Sequence, residues 1–192
     1  MKTGIVILAA GNSSRLGKPK QLLTYKEKSL IEIVTNAALE TNSGPVTIVL
    51  GAYHEAILKH LKADFIINDS WSEGMSSSIA AGLSAVLEKF PDLDQVILAV
   101  SDQAHISVAI FNQLIDRKLE TAKGIIASHY AETNGTPVLF DKKYFAQLLA
   151  LKGETGAKPI LKGNSNDIET INFENGYIDI DTDTDYQNLI KD

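Results

Sequence analysis

The sequence predicts an α/β fold, a mostly parallel sheet with helices on both faces. Three observations carry that prediction. Short apolar runs, partly β-branched, recur at Gly4 to Leu8, Val46 to Leu50, Phe65 to Ile67 and Gln95 to Val100. Segments of helical periodicity separate them, which is the alternation of βαβ units. The 192 residues are 44% hydrophobic, enough for one core, and show no repeat, low-complexity stretch or linker, so residues 1–192 are read as a single domain. In such a sheet the ligand site is expected at the carboxyl ends of the strands.

Composition narrows the function classes. A formal net charge of −6 disfavours broad attraction to nucleic acid or to an anionic membrane, so any phosphate site must be local. The chain has no cysteine, which removes disulfides, thiolate metal sites and cysteine nucleophiles. Neither a signal-peptide pattern nor a run of membrane-spanning length is present, and a cytoplasmic location is expected.

Taken in order, the first strand opens into Leu8-Ala9-Ala10-Gly11-Asn12-Ser13-Ser14-Arg15-Leu16-Gly17-Lys18-Pro19-Lys20. Small residues let backbone N–H groups approach a ligand, and Arg15 and Lys20 add fixed positive charge, a combination suited to an anion. A P-loop is excluded because Lys18-Pro19 follows the second glycine and supplies no metal-binding hydroxyl; a dinucleotide fingerprint is excluded because Gly11 and Gly17 have no glycine between them. A nucleoside triphosphate is therefore the first ligand to consider.

Ser29 to Glu40 has helical spacing, with Ser29 as N-cap and Glu32 completing a capping box. Gly44-Pro45 ends it; His54 to Leu61 reads as a short helix, and Gly74 opens another that runs to about Phe90. The first turn of that helix carries Ser76, Ser77 and Ser78, more hydroxyls than self-capping needs, so it is a candidate contact for a polar ligand edge. The strand Gln95 to Val100 delivers Asp102 to the same edge as Gly11 and Arg15, where a carboxylate would attract magnesium bound to a triphosphate. Its alternative role is to cap the helix from Ser107 to Ala122, although Ser107 is better placed for that. His105 is expected in the intervening loop without chemistry. Gly124 to Ala127 is a further strand, and Asn134-Gly135-Thr136-Pro137 is read as a tight turn entering the strand Val138 to Phe140.

Gly153 to Lys158 is a glycine turn with charges. From Tyr177 to Tyr186 carboxylates alternate strictly. On a strand Asp179 and Asp181 would share a face and repel unless solvent or a divalent cation lay between them. The alternative is a solvated edge leading to a terminal helix capped by Thr182 or Asp183, which accounts for Asp183 and Asp185.

The first loop resembles the signature L-A-A-G-x-x-x-R-x-G-x-x-K of Rossmann-like nucleotidyltransferases, and Lys20-Gln21-Leu22-Leu23 is similar to the molybdenum cofactor cytidylyltransferase-like branch. Ser78, Gly82 and Leu83 match its S-x-x-x-G-L segment. Ser101-Asp102-Gln103-Ala104 resembles S-D-Q-P with alanine for proline. Gly135-Thr136-Pro137 resembles the start of G-x-P-V-L-F, Gly153 to Lys158 resembles G-D-x-G-A-R with Glu154 and Lys158 substituted, and the Asp179 region resembles I-D-x-D-T-x-x-D. The resemblance implies a three-layer Rossmann-like nucleotidyltransferase fold and magnesium-dependent transfer of CMP from CTP to molybdopterin or its molybdenum-loaded form. Leu8, Ala9, Ala10, Gly11, Arg15, Lys20 and Ser78 would bind nucleotide; Arg15, Lys20 and Asp102 would be catalytic; Asp102, Asp179 and Asp181 would share Mg2+. Gly135, Thr136, Pro137 and Lys158 would receive the acceptor, with a molybdenum hydroxylase the candidate recipient of the product. The pair Ala9-Ala10 favours CTP over GTP within that resemblance. The rival expectations are cytidylyl transfer to methylerythritol phosphate or a sugar phosphate, and a non-catalytic nucleotide-binding module.

Overall fold

The apolar runs become strands of one sheet because both of its faces are covered. In the computed structural model, which describes residues 1–61 and 63–191, the strands are β1 (Thr3–Ala9), β4 (Val46–Leu50), β5 (Phe65–Ile67), β6 (Gln95–Val100), β7 (Ile125–Tyr130), β8 (Thr133–Asp141) and β9 (Ile168–Asn172). A separate two-stranded hairpin pairs β2 (Thr24–Tyr25) with β3 (Lys28–Ser29). The helices are α1 (Leu30–Glu40), α2 (His54–Leu58), α3 (Met75–Lys89), α4 (Val108–Thr121), α5 (Phe145–Leu149), α6 (Lys158–Gly163) and α7 (Asp183–Leu189). Sheet order is β5-β4-β1-β6-β8-β7-β9, and β8 runs antiparallel to both of its neighbours while the other pairings are parallel.

Successive residues of a strand point to opposite faces, and the core divides accordingly. Ile5, Ile7, Ile48 and Ile97 pack with Ile31 and Val34 of α1 and Phe111 and Leu114 of α4. Val6, Val49, Val96 and Phe140 pack with Ile79, Leu83 and Val86 of α3 and Leu148 of α5. Each such fully buried side chain contributes roughly 1.5–3 kcal/mol of transfer free energy. One contact sets the depth of α3: a Cβ at Gly82 would lie 2.5 Å from Val6 Cγ1 and 2.6 Å from Val49 Cγ2. The glycine lets the helix sit directly on β1 and β4, and that brings its first turn to their carboxyl ends.

A third cluster unites Leu16 and Leu23 with Ala104, Ile180 and Leu189. Ile180 is completely buried there, so the last segment of the chain is drawn onto the loop after β1. No helix among the described residues is long and apolar enough to cross a membrane.

The capping box at Ser29 and Glu32 forms as expected, with both reciprocal bonds present. Other boundaries differ. The second helix stops at Leu58 instead of Leu61, and the strand expected over Gly124 to Ala127 extends to Tyr130. Asn134-Gly135 is not a turn. The chain reverses at Ala131 and Glu132, both left-handed with φ of 44° and 59°, and Asn134 to Pro137 already lie in β8. Gly135 is glycine for another reason, since a Cβ there would meet the Tyr130 hydroxyl at 2.1 Å. The alternating carboxylates do not form a strand either: residues 174–177 are a 3-10 turn, and Thr182 caps α7 in a box with Asp185. Ser107 takes the N-cap position of α4, though its side chain makes no capping bond.

Candidate active site

The carboxyl ends of β1 and β6 and the start of α3 enclose a cleft of about 430 Å³. Leu8, Ala9, Ala10 and Gly11 line one wall, Met75 and Ser78 a second, Asp102 and Lys20 the floor. The loop after β1 is held from behind by Gln21, which is 1% exposed. Its Nε2 donates to the carbonyls of Ala9 at 3.0 Å and Gly11 at 3.2 Å. Asn12 lines the cleft beside Gly11.

Lys20 and Asp102 line this cleft, and Lys20 also borders an adjoining cavity of about 210 Å³ lined by Arg15 and Asp181, so cations and carboxylates meet where the two adjoin. Lys20 Nζ lies 2.6 Å from Asp102 Oδ2 and 3.0 Å from Asp181 Oδ1, and Arg15 Nη1 donates to Asp181 Oδ2 at 2.7 Å. Burial pulls the Lys20 pKa down, but the Asp102 and Asp181 carboxylates outweigh it and hold the ammonium above its ordinary value. Crowding by the protein, and then the charges of Asp102 and Asp181, push Asp179 above the usual carboxylate range. Asp102 Oδ1 is buried and has no hydrogen-bond partner among the described residues. Among the described residues no three carboxylates or imidazoles are gathered so as to hold a metal by themselves, because Lys20 stands between Asp102 and Asp181. Asp183 and Asp185 are engaged elsewhere: Asp183 pairs with Lys18 at 2.8 Å, and Asp185 accepts the Thr182 N–H and hydroxyl, which lower its pKa.

The serines of α3 divide their work. Gly74 occupies the N-cap without a side-chain bond, while Ser77 Oγ donates to the carbonyls of Ser70 and Gly74. Asn68 Nδ2 donates to both Ser77 Oγ and Ser78 Oγ, at 2.9 and 3.1 Å. Ser78 is 4% exposed, lines the cleft, and accepts from Asn68 through one of its two lone pairs.

The residues expected to receive the acceptor separate in space. Thr136, on the first half of β8, is tied to Gln103 Nε2 through its carbonyl at 2.9 Å. The Gly153 loop leans on α3, with Ser76 N donating to Gly153 O at 3.2 Å, and Glu154 reaches the cleft. None of Gly135, Thr136, Pro137 and Lys158 lines the cleft. Lys158 borders a second cavity of about 550 Å³ with Asn134, Lys162 and Glu169. Gln21, Asn68 and Gln103 were not expected as site residues from the sequence. Each is a buried amide, a residue type normally exposed unless its polar atoms are satisfied, but its sequence position alone carries no signal of which segments it joins.

Comparison with known proteins agrees with this geometry. Residues 5–169 match the model of the MobA-like NTP transferase domain. Nicotine blue oxidoreductase of Paenarthrobacter nicotinovorans is 30% identical over 167 residues, 82% of this chain and 80% of its own. The molybdenum cofactor cytidylyltransferase of Escherichia coli K12 is 25% identical over 186 residues, 94% of this chain and 92% of its own. The crystal structure of Rv0371c from Mycobacterium tuberculosis H37Rv superposes with a TM-score of 0.87 at 26% identity, covering 100% of this chain and 98% of that one. The charged cleft at the strand ends thus sits in a known α/β nucleotidyltransferase fold, and the chain belongs to the MobA-like NTP transferase family.

Proposed function

We propose that this nucleotidyltransferase moves CMP from CTP to the terminal phosphate of molybdopterin, or of its molybdenum-loaded form, with release of pyrophosphate. The observation that carries the reading is the pairing of Arg15 and Lys20 with Asp102 and Asp181 in one ion-pair network at the mouth of the cleft. Two cations suited to phosphate and two hard oxygen donors neutralise one another there, and a metal-bound triphosphate offers each set a better partner.

Arg15 would hold the β and γ phosphates, and Lys20 would stabilise charge growing around the α-phosphorus. The acceptor phosphate attacks that phosphorus in line, so the chain supplies position and charge without a protein nucleophile. Asp102, with its uncommitted Oδ1, and Asp179 or Asp181 would hold magnesium, whose chemistry when bound is to neutralise the phosphate oxygens. Rv0371c has also been solved in complex with manganese, which favours a divalent ion in this family of sites. Leu8, Ala9, Ala10, Gly11 and Ser78 would hold the nucleotide. Gly135, Thr136 and Pro137 would form the acceptor wall, and Lys158 would meet only the remote end of a large acceptor. The cytidylyltransferase relative and the Ala9-Ala10 pair favour CTP. A molybdenum hydroxylase in the cytoplasm would receive the product.

The test is pyrophosphate release from each of the four NTPs with magnesium and molybdopterin. CTP with molybdopterin is expected to give the fastest release. Faster release with GTP overturns the base assignment, and release only with a sugar phosphate or methylerythritol phosphate overturns the acceptor.

A further inference from the structure

Gln103 is 5% exposed and follows Asp102 directly. Its Nε2 donates to Thr136 O at 2.9 Å and to Gly176 O at 2.8 Å, partners 33 and 73 residues away. Because both neighbours are carbonyls, the amide nitrogen must face them, and both of its protons are spent. Thr136 lies in β8, whereas Gly176 lies in the 3-10 turn three residues before Asp179. The same two segments share a second contact. A Cβ on Gly135 would come within 2.1 Å of Tyr130 Oη, and one on Gly176 within 2.4 Å of Tyr130 Cδ1. The Tyr130 ring, edge-on to Phe173 at 6.2 Å, therefore fills the gap between the segments while Gln103 closes it from the Asp102 loop.

We propose that Gln103 is a positioning residue that fastens the Gly135–Pro137 wall and the segment leading to Asp179 and Asp181 onto the loop that carries Asp102. One side chain sets the acceptor side of the cleft in register with the carboxylates, and the nucleotide wall built by β1 and α3 does not depend on it. An amide is required. Methionine fills the volume but donates nothing, and glutamate at neutral pH sets a negative charge against two carbonyls. This inference rests on the acceptor and metal roles given above for those segments, so its test includes a measurement that needs no substrate.

The experiment compares wild type, Gln103→Met and Gln103→Asn by amide hydrogen exchange without ligands and by steady-state kinetics with CTP and molybdopterin. Loss of two buried hydrogen bonds in Gln103→Met is expected to speed exchange about tenfold in residues 133–140 and 174–182 together, with 8–14 and 74–82 unchanged. The KM for the acceptor rises about tenfold while that for CTP stays within about twofold. Gln103→Asn, one methylene shorter, holds at most one carbonyl and gives the same pattern at smaller amplitude. Faster exchange in only one of the two segments, or spread evenly over the sheet, or a CTP KM that rises as much as the acceptor KM, overturns the proposal. If wild type turns over no molybdopterin, the acceptor assignment falls, and the exchange pattern alone still decides the role of Gln103.

Discussion

The two sides of the proposed site are built differently. On the nucleotide side Ala9, Ala10 and Ser78 are 2%, 5% and 4% exposed, the loop is pinned by Gln21 from within, and α3 is seated on β1 and β4 by Gly82. On the proposed acceptor side Gly135 and Thr136 are half-buried while Pro137 is buried, and Gly153 and Gly156 of the neighbouring loop are left-handed with φ of 77° and 56°. Resemblance to the family pattern holds at Arg15, Lys20 and Asp102 and departs at Thr136, Glu154 and Lys158, in the segments proposed to meet the acceptor. The lesson is physical. Charge neutralisation of a triphosphate needs fixed strand-end geometry whatever the acceptor, while acceptor choice is set by loops that vary at little cost to the core.

Substitutions should separate the two sides, and the largest effect belongs to the first. Lys20→Ala and Asp102→Ala should each lower kcat by roughly a hundredfold to a thousandfold, about 2.7 to 4 kcal/mol of transition-state stabilisation, as measured by pyrophosphate release. Thr136→Ala should change mainly the acceptor KM. If Thr136→Ala cost kcat as much as Lys20→Ala, the division of labour would be wrong.

Next in size is Gly82→Ala. The added methyl meets Val6 and Val49, so overpacking should destabilise the fold by about 1–3 kcal/mol, read as a lower Tm, and should weaken CTP binding as α3 is displaced. An unchanged Tm would mean that the helix has room to move.

A smaller contrast tests the carboxyl-terminal carboxylates. Asp181→Asn and Asp179→Asn should raise the magnesium concentration needed for half-maximal activity, whereas Asp183→Asn and Asp185→Asn, engaged with Lys18 and Thr182, should not. Equal effects at all four would reduce the segment to a solvated edge.

The smallest effect concerns pH. The folded pKa of Asp179 lies above its unfolded value, so the folded state binds the proton more readily and stability falls as pH rises from the unfolded value through the folded one. Asp179→Asn should therefore raise Tm slightly at pH 7 and leave it unchanged at pH 3. A Tm gain larger at pH 3 would reverse the sign.

What could be read from the sequence follows the range of the interactions. Strand runs, the Ser29 capping box and the small-residue loop are local patterns, and each appears where expected. Asn134-Gly135 misleads because an Asn-Gly pair is a strong hairpin signal, yet here the glycine makes room for Tyr130, and the turn falls on Ala131-Glu132, residues ill suited to positive φ. The alternation at Asp179 and Asp181 mimics a strand. Its register is in fact set by burial of Ile180 against Leu16 and Ala104, contacts that no local pattern encodes. Lys158 fails as a cleft residue for the same reason, since α6 packs its apolar residues Ile160 and Leu161 into the core and leaves the lysine beside the second cavity.

Lys20 and Arg15 are proposed to neutralise Asp102 and Asp181 until a metal-bound triphosphate separates them. Calorimetric titration of manganese into the protein, with and without a non-hydrolysable CTP analogue, tests it most directly. The protein should bind manganese weakly when nucleotide is absent, and the analogue should bind at least about tenfold tighter with manganese than without it, the reciprocal coupling linkage requires. Tight manganese binding to the protein alone, unchanged by the analogue, would contradict it.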